Sequence, residues 1–158
     1  MKRPRVVKRD NPEKSFIDCR KGMTPEGFIT ILRRMVALTS IGPSALRGQG
    51  KGVLGVSQDF LAHLSLARLP RSTPERFRTW LDRQTELLLD ILPVNNRPWG
   101  AARKAINLFL MDALYNQYLV SQFQLQAVEP WLEIPLDSAV SRGLKSHGRR
   151  GELPQWPG

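Results

Sequence analysis

The stretch Arg97 to Leu119, RPWGAARKAINLFLMDALYNQYL, decides how this chain is read. From Ala105 to Tyr115 nearly every side chain is apolar, Asn107 and Asp112 being the exceptions. A helix apolar on all sides has no face to offer water, so it must be surrounded by protein. The sequence therefore predicts a buried helix from Ala101 to Leu119 at the centre of a helical domain. Lys104 stands at the edge of that core. One reading sends its ammonium out to water along the methylene stem; the other makes it a chemical group.

Working outward, helical punctuation recurs. STPERFRTWLDRQTELLLDIL (72–92) opens with Thr-Pro-Glu, a cap followed by a proline suited to the first helical position, and carries Phe77, Trp80, Leu81, Leu87, Leu88 and Ile91 as apolar positions. MTPEGFITILRRMVALTS (23–40) has the same start and predicts an inward stripe of Phe28, Ile31, Leu32, Met35, Val36 and Leu38. IGPSALRGQGKG (41–52), with four glycines and a proline, reads as a loop. SQDFLAHLSLARL (57–69) predicts a helix capped by Ser57 and closed before Pro70. Downstream come a short helical piece around LQAVEPWLE (125–133), then IPLD, then a last helix, SAVSRGLKSH (138–147), with Asp137 as its N-cap. No segment alternates with a period of two. The expected fold is all-α, a compact multi-helix domain containing a helix-hairpin-helix element.

The 158 residues suit one domain with a substantial core, expected over residues 23–146, between a basic flexible arm (1–22) and a C-terminal tail (147–158). The loop-like ending GELPQWPG suggests that the natural domain continues further or is a truncated form. The single cysteine, Cys19, can form neither an internal disulfide nor a cluster site. His63 and His147 are isolated and read as a satisfied or half-buried helix residue and an exposed tail residue, so neither a metal nor another cofactor is expected. No apolar run reaches the roughly 20 residues of a membrane span, and MKRPRVVKRDNPEKS lacks a signal peptide's apolar segment. The chain reads as soluble and cytoplasmic.

The net charge of +10 is concentrated at the ends. Residues 1–21 hold eight Lys and Arg against three acids, and residues 139–158 four against one. Basic ends on a nearly neutral middle point to a polyanion, because each phosphate neutralised releases condensed counterions.

LPVNNRPWGAARKAIN (92–107) has the outline of a hairpin: a helix ends, a turn holds two prolines, two asparagines and a glycine, and a second helix begins. Amides at the start of such a helix can hold a phosphate, aided by the helix dipole. Near that positive end a lysine amine is a candidate nucleophile. A carboxylate at the start of a later helix, Asp137, could face it across a cleft.

This stretch resembles the hairpin of the helix-hairpin-helix DNA glycosylases, in which a Leu-Pro turn leads through glycine to Arg-Lys-Thr-Ala-Asn. Arg103, Lys104 and Asn107 stand in that register, and IPLDSAV is similar to the family's Pro-Val-Asp-Thr-His-Val segment. The 33 positions from Lys104 to Asp137 bring the chain nearest to the archaeal 8-oxoguanine glycosylase branch; Val94 to Pro98 replace the usual Gly-Val-Gly. The resemblance covers residues 91–144. It implies an altered base flipped out of duplex DNA, Lys104 as nucleophile and Asp137 as the essential carboxylate. It further implies Gly100 and Arg103 at a phosphate, and Gln49 of GQGKG, Trp99 and Trp131 around the base, with Trp80 a further aromatic candidate. The competing readings are a non-catalytic helical nucleic-acid-binding protein and a helical adaptor for an acidic protein partner.

Overall fold

The computed structural model describes residues 23–93, 98–133 and 143. Among them there are only helices and turns. The elements are α1 (Pro25–Ser40), α2 (Val53–His63), α3 (Pro74–Ile91), α4 (Trp99–Tyr115) and α5 (Gln117–Phe123), with a 3₁₀ turn at Leu66–Arg68 and a 3₁₀ segment at Leu125–Trp131. None of these helices is long and apolar enough to cross a membrane.

The two Thr-Pro-Glu signals act as read. Thr24 Oγ1 accepts from the Gly27 amide at 3.1 Å and Thr73 Oγ1 from that of Arg76 at 3.3 Å, each followed by proline and an acid in the first turn. Each cap satisfies one amide that the helix itself leaves without an acceptor. α2 departs from expectation. It starts at Val53 behind Gly52, so Ser57 is a buried residue of the helix interior and not its cap. Gly52 takes φ +85°, and a Cβ there would lie 3.3 Å from Pro93 Cγ. Left-handed backbone and close contact together require glycine.

α4 is the central helix, in contact with α1, α2, α3, α5 and the 3₁₀ segment. Ala102, Ala105, Ile106, Phe109, Leu110 and Ala113 are buried along it, opposite Phe77, Leu81 and Leu88 of α3 and with Leu61, Leu119 and Leu125 in the same core. Each large side chain so buried contributes about 1.5–3 kcal/mol. α4 ends earlier than expected, at Tyr115. Asn116 has extended backbone, and its Oδ1 accepts from the amides of Tyr118 and Leu119, so this one residue both closes α4 and caps α5.

α1 presents a different face to the core from the one its sequence predicts. Val36 and Ala37 are buried and Ile29 and Leu32 pack against the core, but Phe28, Ile31, Met35 and Leu38 face solvent. Apolar residues occupy two sides of this helix, and the packing selects the side bearing the small Ala37, where α2 and α4 lie against it.

Candidate nucleic-acid interface and lysine site

Arg103 is the polar centre of the molecule. It lies on α4 with its side chain only 8 % exposed, and a guanidinium so enclosed needs acceptors for its planar fork. Its Nε and Nη2 donate to the two carboxylate oxygens of Glu133 at 2.7 and 2.6 Å, and Nη1 donates to Asp82 Oδ1 at 2.6 Å. Asn107, one turn on, completes the arrangement: Nδ2 donates to Glu133 Oε2 at 3.2 Å and to the Arg103 carbonyl at 3.1 Å, while Oδ1 accepts from the Glu133 amide at 3.1 Å. The Trp99 ring stacks on the guanidinium at 5.2 Å.

The electrostatics follow from this geometry. Burial disfavours the charged guanidinium, but the hydrogen bonds and attraction of Glu133 and Asp82 outweigh it and hold Arg103 above its ordinary range. The hydrogen bonds from Arg103 hold the Glu133 carboxyl below the usual carboxylate range, against the effect of its own partial burial. Asp112 lies on the half-buried flank of α4, where burial raises its carboxyl above the usual range.

Arg103, expected at a phosphate, is thus committed to two carboxylates on α3 and on the segment after the 3₁₀ turns. Glu133 and Asp82 were not among the residues singled out from the sequence. The available signal was the arginine itself: a charge on an otherwise buried helix demands acids nearby, and Asn107 four residues later shares its face.

Lys104 lies in the second turn of α4, half-buried. Gly100 is exposed in the first turn, where no side chain caps the helix. Gln49 is half-buried in the glycine-rich loop, its amide bonded to the Leu46 carbonyl at 3.3 Å. In that loop Gly48, Gly50 and Gly52 all have positive φ, alternating with Arg47, Gln49 and Lys51, and Arg47 and Lys51 are exposed. The loop runs into the start of α2, which also lacks a side-chain cap, and Gly52 packs closely against Pro93 just beyond α3. One uncapped helix start and two exposed cations therefore adjoin in this loop, an arrangement suited to phosphate oxygens.

Among the tryptophans, Trp99 is 46 % exposed. Trp80 and Trp131 lie against Phe77, with ring centroids 6.1 and 6.0 Å away, and belong to the edge of the core. His63 is satisfied within α2, its Nδ1 2.8 Å from the Asp59 carbonyl oxygen, but exposed rather than half-buried. Among the described residues no three His, Cys, Asp or Glu side chains converge as a metal site. Asp137 and the turn from Val94 to Arg97, on which the hairpin reading depends, lie outside the described residues, as does the predicted last helix apart from Gly143, which is helical. No family model, curated protein or solved structure matches this chain.

Proposed function

We propose that this protein is a DNA repair glycosylase with lyase activity, acting on an oxidised or otherwise altered base in duplex DNA through Lys104. The observation that carries the reading is the Arg103–Glu133–Asn107 clamp. It ties the segment leading to Asp137 onto α4 at the residue beside Lys104. Three residues lie between Glu133 and Asp137, so their Cα atoms are at most about 14 Å apart, a span compatible with the proposed approach of the Asp137 carboxylate to Lys104. The glycine-rich loop with Arg47 and Lys51 supplies contacts for the sugar-phosphate backbone, and Trp99 offers a partly open ring for stacking on a base.

In this mechanism the Lys104 amine attacks C1′ of the flipped nucleotide as the glycosidic C1′–N bond breaks, and the base leaves with a proton. Asp137 accepts the proton released by the lysine nitrogen. The lysine nitrogen then expels O4′ as the C1′–O4′ bond breaks and O4′ takes a proton from solvent, leaving an open-chain iminium. This loses its C2′ proton to a base, and the C3′–O bond breaks with the 3′ phosphate as leaving group, cutting the strand by β-elimination.

Borohydride trapping tests the proposal. Reduction of the iminium should leave a covalent protein–DNA adduct on a duplex carrying an abasic site or 8-oxoguanine. Lys104→Gln should abolish the adduct while leaving duplex binding nearly unchanged, since one cation among many contributes little to phosphate affinity. Asp137→Asn, which still caps a helix, should slow base release by about a hundredfold or more. An adduct that survives Lys104→Gln would assign the chemistry to another amine. Salt-sensitive duplex binding with no adduct on either substrate would instead assign the non-catalytic binding reading.

A further inference from the structure

α1 carries a second apolar face that the described fold leaves largely open. Phe28, Ile31, Met35 and Leu38 lie between 37 % and 56 % exposed on the side away from α2 and α4. The stripe continues onto α5, where Tyr118 meets Phe28 edge to face at 5.2 Å and is itself 51 % exposed. Thr39 borders it with its hydroxyl already donated to the Met35 carbonyl at 3.0 Å, so covering this threonine strands no polar group. With Val36 and Ala37 buried behind, α1 is apolar on two sides, and its charged residues Glu26, Arg33 and Arg34 lie off the exposed stripe. A helix apolar on two sides is one that works when covered on both.

The spacing identifies what encloses it. Positions 28, 31, 35 and 38 follow the three-four-three register of a heptad seam, about 15 Å long. That seam accepts the side chains of a second helix between its own. A membrane surface calls for a broad apolar face backed by a basic polar face, whereas the back of α1 is packed on the core. Charge selects among helices. Arg34 flanks the seam, and Glu26, the single acid of α1, lies near the helix start away from it. A second copy would set Arg34 near its symmetry mate, and the two ends of this chain are themselves basic.

We infer that the outer face of α1 is a docking site for an acidic amphipathic helix of a partner protein, with apolar residues at its a and d positions and Glu or Asp at the flanks. The site is separate from Lys104 and does not depend on the glycosylase reading.

The test is a selection from a display library of helical peptides with leucine fixed at a and d and Glu or Lys varied at e and g. The intact protein should enrich Glu-rich peptides. Their affinity should fall at least tenfold with the double substitution Ile31→Asp and Met35→Asp, both at exposed positions, with the fold checked by the thermal unfolding curve. Arg34→Glu should shift the enrichment toward Lys-rich peptides. No enrichment above the double variant, or enrichment of Lys-rich peptides by the wild type, overturns the inference. So does self-association in sedimentation that the double variant loses, which would assign the face to a second copy. Binding to phosphatidylserine–phosphatidylcholine vesicles that it loses would assign the face to a membrane and likewise overturns it.

Discussion

At the scale of single residues, the fork of Arg103 joins three parts of the chain that are distant in sequence: α3 through Asp82, α4 itself, and the segment at Glu133. Replacing it with methionine preserves the bulk of the side chain but strands two carboxylates. The expected loss is about 3 kcal/mol in urea unfolding, toward the low end for a broken buried pair because both acids remain partly hydrated. Arg103→Lys should recover only part of this, since an ammonium cannot make the two parallel bonds. The pH dependence has a definite sign. Glu133 titrates below its unfolded value when folded, so its contribution is complete above the ordinary carboxylate range near 4.3 and is lost as pH falls through the lower folded value. Urea midpoints measured from pH 5 down to pH 3 should fall more steeply for wild type than for Glu133→Gln. Of this site, Arg103 and Asn107 were visible as residues of interest only through the resemblance of their segment to a glycosylase hairpin, which implied a phosphate contact for Arg103 and not the ion pairs it makes. The sequence did not reveal their acids, because a pairing across 21 or 30 positions leaves no local pattern.

Secondary structure was most legible where a local chemical signal sets it. Thr24 and Thr73 could be read as caps because a hydroxyl three residues ahead of an amide, followed by proline, has a single inexpensive use. The orientation of α1 was not legible: two of its sides are apolar, and the choice between them is made by α2 and α4. The start of α2 was missed for a related reason. A glycine start relies on left-handed backbone and on the neighbouring Pro93, whereas Ser57 offered a conventional cap that the fold buries instead. Gly52→Ala tests this account. Left-handed backbone costs a residue with a Cβ about 1–2 kcal/mol, and the methyl would press on Pro93 Cγ at 3.3 Å. Urea unfolding should show a loss of that size or slightly more, while Gly42→Ala, with open space around the added carbon, should change stability far less.

For the molecule as a whole, the buried helix expected from Ala101 to Leu119, observed as α4, is the one around which the others assemble, and the all-α class was legible from it and from its capped neighbours. Charge distribution carries the remaining prediction. If duplex binding uses the basic arm, deleting residues 1–21 should flatten the plot of log affinity against log salt by about 0.9 for each phosphate the arm had neutralised. An unchanged slope in filter binding or anisotropy would show that the arm takes no part. The central position of α4 also bears on motion. The buried stretch of α4 from Ala102 to Ala113 is gripped by neighbours on several elements, so its amides should be among the slowest in the domain to exchange with solvent. Lys104 stands near the start of that slow stretch, one turn beyond the exposed and faster-yielding Trp99 and Gly100.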